Sequence, residues 1–211
     1  HGVGLRGLQE SKNTLDCGNS GTTMRLLCGL LSAQQFNSIL IGDHSLMKRP
    51  MARIVEPLRL MGAKIQLSKN NTAPIKITGN QTLKSIDCEL PIASAQVKSG
   101  ILLAGLYAQG ETIVREKIPT RDHTEKMMQL FGKSPSAPLF QRGEMKIPGD
   151  ISSAAFFIVL AAITKNADIT IRQVGVNSFR TGIIDILKLM GANIAIFNET
   201  FFGLEPVADI R

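Results

Sequence analysis

Three clusters of cations and small polar residues have the types and spacing to bind anions. The first is Gly18-Asn19-Ser20-Gly21-Thr22-Thr23, with Arg25 one helical turn further on. Exposed N–H groups and the positive end of a helix dipole favour phosphate or carboxylate, and glycine allows close backbone approach. The cluster has neither the Gly-Lys-Ser/Thr of a P-loop nor the GxGxxG of a dinucleotide fold, and Ser, Thr and Asn also serve as plain helix caps. The second is Met47-Lys48-Arg49-Pro50-Met51, where Pro50 suits the first position of a helix. Two adjacent cations at a helix start oppose the dipole, so local stability does not account for them, whereas a planar Arg there grips a carboxylate or phosphate bidentately. A solvated charge pair is the plain alternative.

The third cluster is Thr120-Arg121-Asp122-His123-Thr124-Glu125. Thr120 with Glu125 resembles capping, and Asp122 and Glu125 suit a helix start. His123 has the chemistry of a general acid or base, but a His beside two carboxylates is more often a structural hydrogen-bonder. Arg121 stands out as an anion ligand. Two further small polar stretches, Ala93-Ser94-Ala95-Gln96 and Gly149-Asp150-Ile151-Ser152-Ser153, read as helix starts of the same kind. Arg25, Arg49 and Arg121 occupy comparable helix-start positions in two successive units, which points to one converging anionic site.

The elements that must carry these residues repeat. Counting back from Gly62, Gly132 and Gly191, positions −8, −4 and −1 are Ile54, Leu58, Met61, then Thr124, Met128, Phe131, then Ile183, Leu187, Met190. This is helical spacing, with each glycine suited to a left-handed C-terminal residue. A β-branched run precedes each helix: Ser38–Ile41, Thr112–Val114 and Asp168–Ile171, each predicting a strand. Before these strands come apolar helices over Thr22–Leu31, Gln96–Leu106 and Ser153–Ile163. The unit is strand, helix, strand, helix, strand or strand pair, an α/β pattern, expected at 14–79, 85–143 and 144–211. Pro57 falls inside a predicted helix and costs about 3 kcal/mol or a kink there. The turn-rich Lys133-Ser134-Pro135-Ser136-Ala137-Pro138 is a candidate boundary.

Composition narrows the partners. The chain has 211 residues, is 44% hydrophobic and contains no apolar run long enough for a bilayer, which argues for a soluble globular protein. Its net charge of +7 calls for an anionic partner, but with no Trp, one Tyr and no run of four cations a nucleic acid is not expected. Small phosphorylated or carboxylated ligands fit better. Cys17, Cys28 and Cys88 are too few and too irregular for a disulfide framework or a metal site, and read as three buried thiols of a cytoplasmic chain. The opening His1-Gly2-Val3-Gly4 carries no signal-peptide pattern.

Taken together, Leu15–Leu27, Gly42–Met51, Ala93–Ser99, Thr120–Met127 and Pro148–Ala154 resemble the 5-enolpyruvylshikimate-3-phosphate synthase family in order along the whole chain. The resemblance implies repeated βαβαββ units of the enolpyruvyl transferase type, an inside-out α/β barrel, with three of the family's six units present. Residues 1–146 would be most of the first lobe and 147–211 the first, incomplete unit of the second. It places Gly21 and Thr22 near phosphoenolpyruvate and makes Arg49 a ligand of its carboxylate or phosphate. Ser94, Ala95 and Gln96 would line the shikimate 3-phosphate site, Gln96 reaching both substrates, with Arg121 at the shikimate ring or phosphate. Asn19, Arg25 and Lys48 would be second-rank members.

The implied reaction moves the enolpyruvyl group to the 5-hydroxyl of shikimate 3-phosphate in the shikimate pathway of aromatic amino-acid biosynthesis, with no metal or cofactor. The family's early Lys-Ser-x-x-x-Arg, its acidic segment with the catalytic Asp and its late Asp-His-Arg are not in this sequence. The catalytic acid and base are therefore not assignable, and the expectation is an internal piece that binds substrate weakly, does not turn over alone, and has the remainder of the same polypeptide as its partner. The relative acting on UDP-N-acetylglucosamine would show a Cys near Arg49, and His44–Met51 has none. A non-catalytic anion-binding module is the alternative of a different class.

Overall fold

The N-capping pattern at the small polar stretches sets the architecture. In the computed structural model, which describes residues 3–130 and 146–211, three helices start in the same way. Helix α1 (Gly21–Leu31) is capped by Ser20, whose hydroxyl accepts the Thr23 N–H at 3.1 Å. Helix α3 (Ala95–Gly105) is capped by Ser94 through Val97, and α5 (Ile151–Ile163) by Asp150 through Ser153. Each cap satisfies a backbone donor that has no partner inside its helix, and is worth roughly 1 kcal/mol.

The chain forms two compact units, His1–Thr120 and Arg121–Arg211. In the first, strands β1 (Leu15–Asp16), β2 (Ser38–Ile41), β3 (Lys64–Gln66) and β4 (Ile75–Thr78) make one sheet in the order β1-β2-β4-β3. β1 runs parallel to β2, and β4 pairs antiparallel with both β2 and β3. A second, parallel pair joins β5 (Asp87–Leu90) to β6 (Ile113–Glu116). Helix α2 (Ala52–Leu60) lies between β2 and β3 in sequence, and its Ile54, Val55 and Leu58 are fully buried.

Helices α1 and α3 meet backbone to backbone. A Cβ on Gly29 would lie 1.9 Å from the Gly100 carbonyl oxygen, and one on Gly100 would lie 2.7 Å from Ile54 Cδ1. Larger side chains at either glycine would force the helices apart. Met24, Cys28, Ile54, Leu58, Met61, Ile75, Ile77 and Ile101 fill the core below this contact. At about 1.5–3 kcal/mol per fully buried aliphatic side chain, that core holds α1 and α3 where their N-termini lie.

The second unit contains α4 (His123–Leu130), α5, β7 (Ile171–Gly175), α6 (Gly182–Leu189), β8 (Ile196–Phe202) and β9 (Glu205–Ile210). Its sheet has the order β7-β9-β8, both pairings antiparallel, and Gly149 forms a parallel bridge to Val174. Strand order and directions therefore match the first sheet. Helix α5 also buries the positions that α1 does, one, four and eight past the cap: Ile151, Ala154 and Ile158 beside Gly21, Met24 and Cys28. Its outer face differs, with Phe156, Phe157, Leu160 and Ile163 all more than half exposed.

Several expectations need correction. Pro50 precedes α2 by two residues, with Met51 as the cap; Lys48 ends a single 3₁₀ turn over Leu46–Lys48 and Arg49 is extended. The 3₁₀ turn consumes the residues between strand and helix, so the cations sit ahead of the helix rather than in it. The strand expected over Asp168–Ile171 begins only at Ile171, because pairing with β9 starts there and Asp168 instead holds Arg211 in an ion pair. Met190 is three-quarters exposed, and Cys88 is only half-buried at the edge of the first core. Pro57 is accommodated inside α2 without ending it; Arg53, whose carbonyl loses its usual donor, is exposed to water. Gly62 and Gly191 adopt φ of +100° and +91°, as helix-ending residues should. Phe131, Gly132 and the turn-rich 133–138 lie outside the described residues, and the boundary expected near 146 adjoins that stretch.

Candidate functional site

The loop between β1 and α1 is built to carry a guanidinium pair. Gly18 turns at φ +53°, its N–H donates to Asp16 Oδ1 at 2.8 Å, and its carbonyl accepts the Asp43 N–H at 2.8 Å. This brings Asn19 against Asp43: Asn19 Nδ2 donates to Asp43 Oδ2 at 2.6 Å, while Asn19 Oδ1 accepts from Arg49 Nη2 at 3.2 Å. The Asn19 hydrogen bond, followed by that of the Leu46 amide, holds the Asp43 carboxyl below the usual carboxylate range. Asp43 joins the candidates only through the fold: the two loops pack so closely that a Cβ on Gly42 would lie 2.7 Å from the Gly18 carbonyl oxygen.

Two arginines converge on the first turn of α1. A Cβ on Gly21 would lie 2.8 Å from Arg25 Nη1 and 3.2 Å from Arg49 Nη1. Burial and then the neighbouring Arg49 charge push the Arg25 guanidinium below its ordinary value. Among the described residues neither arginine forms an ion pair. Arg25 Nη1 instead donates to Gln96 Oε1 at 2.6 Å and to the Gly21 carbonyl at 3.3 Å, and Gln96 Nε2 donates to Thr22 Oγ1 at 2.7 Å. Like charges held side by side at the positive end of a helix, with the Asp43 carboxylate acting on Arg49 only across Asn19, can receive an anion. Gln96 in turn fixes the start of α3, where Ser94 and Ala95 are half-buried.

Asn19, Gly21, Thr22, Arg25, Arg49 and Gln96 are thus brought together. Lys48 is exposed; its N–H donates to the Ser45 carbonyl at 3.2 Å, and its ammonium has no hydrogen-bond partner among the described residues. Arg121 belongs to the second unit, half-buried just ahead of α4. There His123 Nε2 is 3.2 Å from Glu205 Oε1, and Lys126 Nζ is 3.3 Å from both Asp122 and Glu205. The buried Asn177 donates to Asp122 and Glu205, each at 3.0 Å. His123 is a member of this bonding network, as a structural hydrogen-bonder would be. Burial raises the Asp122 carboxyl, but the Asn177 hydrogen bond and the Lys126 charge outweigh it and leave it below its ordinary value.

Thr120 is not a cap of α4: its hydroxyl donates to Glu116. The start of α5 differs from that of α1, because Asp150 caps the helix and also pairs with Arg180 at 2.8 Å, which donates to Ser152 Oγ at 2.6 Å. That helix start already holds its own carboxylate. The thiols offer no nucleophile beside α1, since burial pushes Cys28 up to about 12 and raises Cys17 as well.

Comparison with known proteins settles the lineage. The family model described as EPSP synthase (3-phosphoshikimate 1-carboxyvinyltransferase) matches residues 2–207. The chain belongs to the EPSP synthase family. Relatives named 3-phosphoshikimate 1-carboxyvinyltransferase include those of Alkalilimnicola ehrlichii, 53% identical over all of this chain and 49% of its own length, and Hydrogenovibrio crunogenus, 52% identical over all of this chain and 51% of its own. The solved EPSP synthase of Acinetobacter baumannii is 55% identical with a TM-score of 0.86, covering all of this chain and 50% of that one. The chain therefore spans about half the length of the EPSP synthase relatives it matches.

Proposed function

We propose that the chain supplies part of the substrate surface for enolpyruvyl transfer from phosphoenolpyruvate to the 5-hydroxyl of shikimate 3-phosphate. The observation that carries this reading is the pair of guanidiniums, Arg25 and Arg49, facing Gly21 with no carboxylate in direct contact among the described residues. Phosphoenolpyruvate brings a phosphate and a carboxylate, and two planar cations at a helix start match both groups. Gly21 keeps the approach open, and Thr22 is held by Gln96. Ser94, Ala95 and Gln96 would face shikimate 3-phosphate, with Arg121 as a further ligand and Lys48 free to reach a phosphate.

The same reading treats the chain as three of six repeating units, 1–146 in one lobe and 147–211 opening the next. The matched strand order of the two sheets supports it. Arginine and glutamine bind charge but do not shuttle protons at neutral pH, so the chain alone binds without turning over. Proton transfer would fall to groups contributed by the rest of the polypeptide, in the cytoplasm and without a metal or cofactor.

Titration calorimetry with phosphoenolpyruvate and with shikimate 3-phosphate tests the reading. Weak binding of both is expected, with Arg49→Ala weakening phosphoenolpyruvate by about 10- to 100-fold, the range for a lost charge-assisted contact of roughly 1.5–3 kcal/mol. Binding of a generic oligonucleotide that falls steeply with salt, with neither substrate bound, would replace this reading by a nucleic-acid module. Measurable phosphate release by the pure chain would overturn the claim that it binds without turning over.

A further inference from the structure

A buried ion pair lies one turn inside α3. Lys98 and Glu116 have side chains only 7% and 11% exposed, and Lys98 Nζ is 2.7 Å from Glu116 Oε2. Lys98 is tied to the helix start by its own N–H, which donates to the Ser94 carbonyl at 3.0 Å. Glu116, at the end of β6, also accepts from the Thr120 N–H at 3.4 Å and from the Thr120 hydroxyl. One carboxylate therefore joins the first turn of α3 to Thr120, where the first unit ends.

Taking two charges out of water is costly, and an apolar pair of similar volume would hold α3 to β6 at least as well. What the ion pair adds is direction. The carboxylate fixes the ammonium in one place, and with it the rotation of α3 about its axis. That rotation sets where Ser94, Ala95 and Gln96 point, and a small rotation would also disturb the Gln96 bonds to Arg25 and Thr22. Lys98 is too enclosed to touch a ligand itself. Burial raises the Glu116 carboxyl, but the Lys98 and Thr120 hydrogen bonds overcome this and keep it ionised below its ordinary range.

We infer that Lys98, Glu116 and Thr120 are positioning residues for the shikimate 3-phosphate side of the site, acting through the orientation of α3. The inference rests on the proposed function, which gives Ser94, Ala95 and Gln96 that ligand. A positioning role predicts a ligand-selective defect. A general loss of stability would weaken both substrates alike.

The test is an NMR titration of the 211-residue chain with shikimate 3-phosphate and, separately, with phosphoenolpyruvate. Lys98→Met should weaken shikimate 3-phosphate on the order of tenfold, and Thr120→Val by a smaller factor, as misplacement of a binding group does. Phosphoenolpyruvate affinity should fall by a clearly smaller factor, because α3 reaches that ligand only through the Gln96 bonds to Arg25 and Thr22. Ile75→Val, in the core of β4 and away from the network, serves as a stability control and should leave both affinities in place. A parent chain that binds neither ligand overturns the proposed function and this inference with it. A parent that binds, with variants that bind shikimate 3-phosphate equally well or lose both ligands together, overturns the inference alone. Should Lys98→Met fail to fold, Thr120→Val decides, because it removes one hydroxyl and keeps the ion pair.

Discussion

At the residue scale the proposed site depends on one missing side chain. Gly21 sits in the first turn of α1 with an ordinary helical backbone, so its value lies in the space above its Cα. An alanine there meets the far ends of Arg25 and Arg49, which swing aside without disturbing the backbone. Gly21→Ala is therefore expected to leave the melting temperature nearly unchanged while weakening phosphoenolpyruvate by roughly fivefold, the equivalent of about 1 kcal/mol. Calorimetry on matched samples checks this, and equal affinities would mean that the two guanidiniums do not act together. The arginines were legible in the sequence, because cations at helix starts lack a local explanation. Their company was not. Asp43 and the Lys98–Glu116 pair are recognisable only once β2 and β6 bring distant residues together, since each partner read alone is an ordinary charged residue. Gln96 received a ligand role only from the family resemblance, and its bonds to Arg25 and Thr22 span 71 and 74 residues.

At the element scale the decisive contact is the crossing of α1 over α3. The two helix starts carry the site, and their separation is set by Gly29 and Gly100. Gly29→Ala puts a methyl group into the Gly100 carbonyl, where only backbone could yield. Overpacking of this kind costs about 1–3 kcal/mol, enough to lower the melting temperature by several degrees. Circular dichroism would show it, and an unchanged melting temperature would mean that the helices do not approach so closely. Hydrophobic periodicity located the helices to within one or two residues, because burial on one face leaves a clear period. The strands were harder: the Asp168–Ile171 run has the right composition, but its pairing partner lies near residue 210 and decides where the strand begins. The single 3₁₀ turn before α2 left no periodic trace at all.

At the scale of the whole molecule, two compact units carry cores of unequal size. Among the described residues the first core contains 22 buried apolar residues and the second seven. Scanning calorimetry is expected to show two transitions, with the smaller unit melting first. Phosphoenolpyruvate at saturating concentration should raise only the upper one, since Gly21, Arg25 and Arg49 belong to the first unit. A single transition that shifts as a whole would show that the units unfold together. The repeated pattern located strands and helices on either side of Gly62 and Gly191, because the same helix-ending glycine and the same strand spacing recur there. The outer face of α5 carries one more consequence. Phe156, Phe157, Leu160 and Ile163 present a band of hydrocarbon to water, and the attraction between such bands weakens on cooling. Temperature thus becomes a control on the solubility of this chain: it should cloud when warmed, well below unfolding, and clear again in the cold.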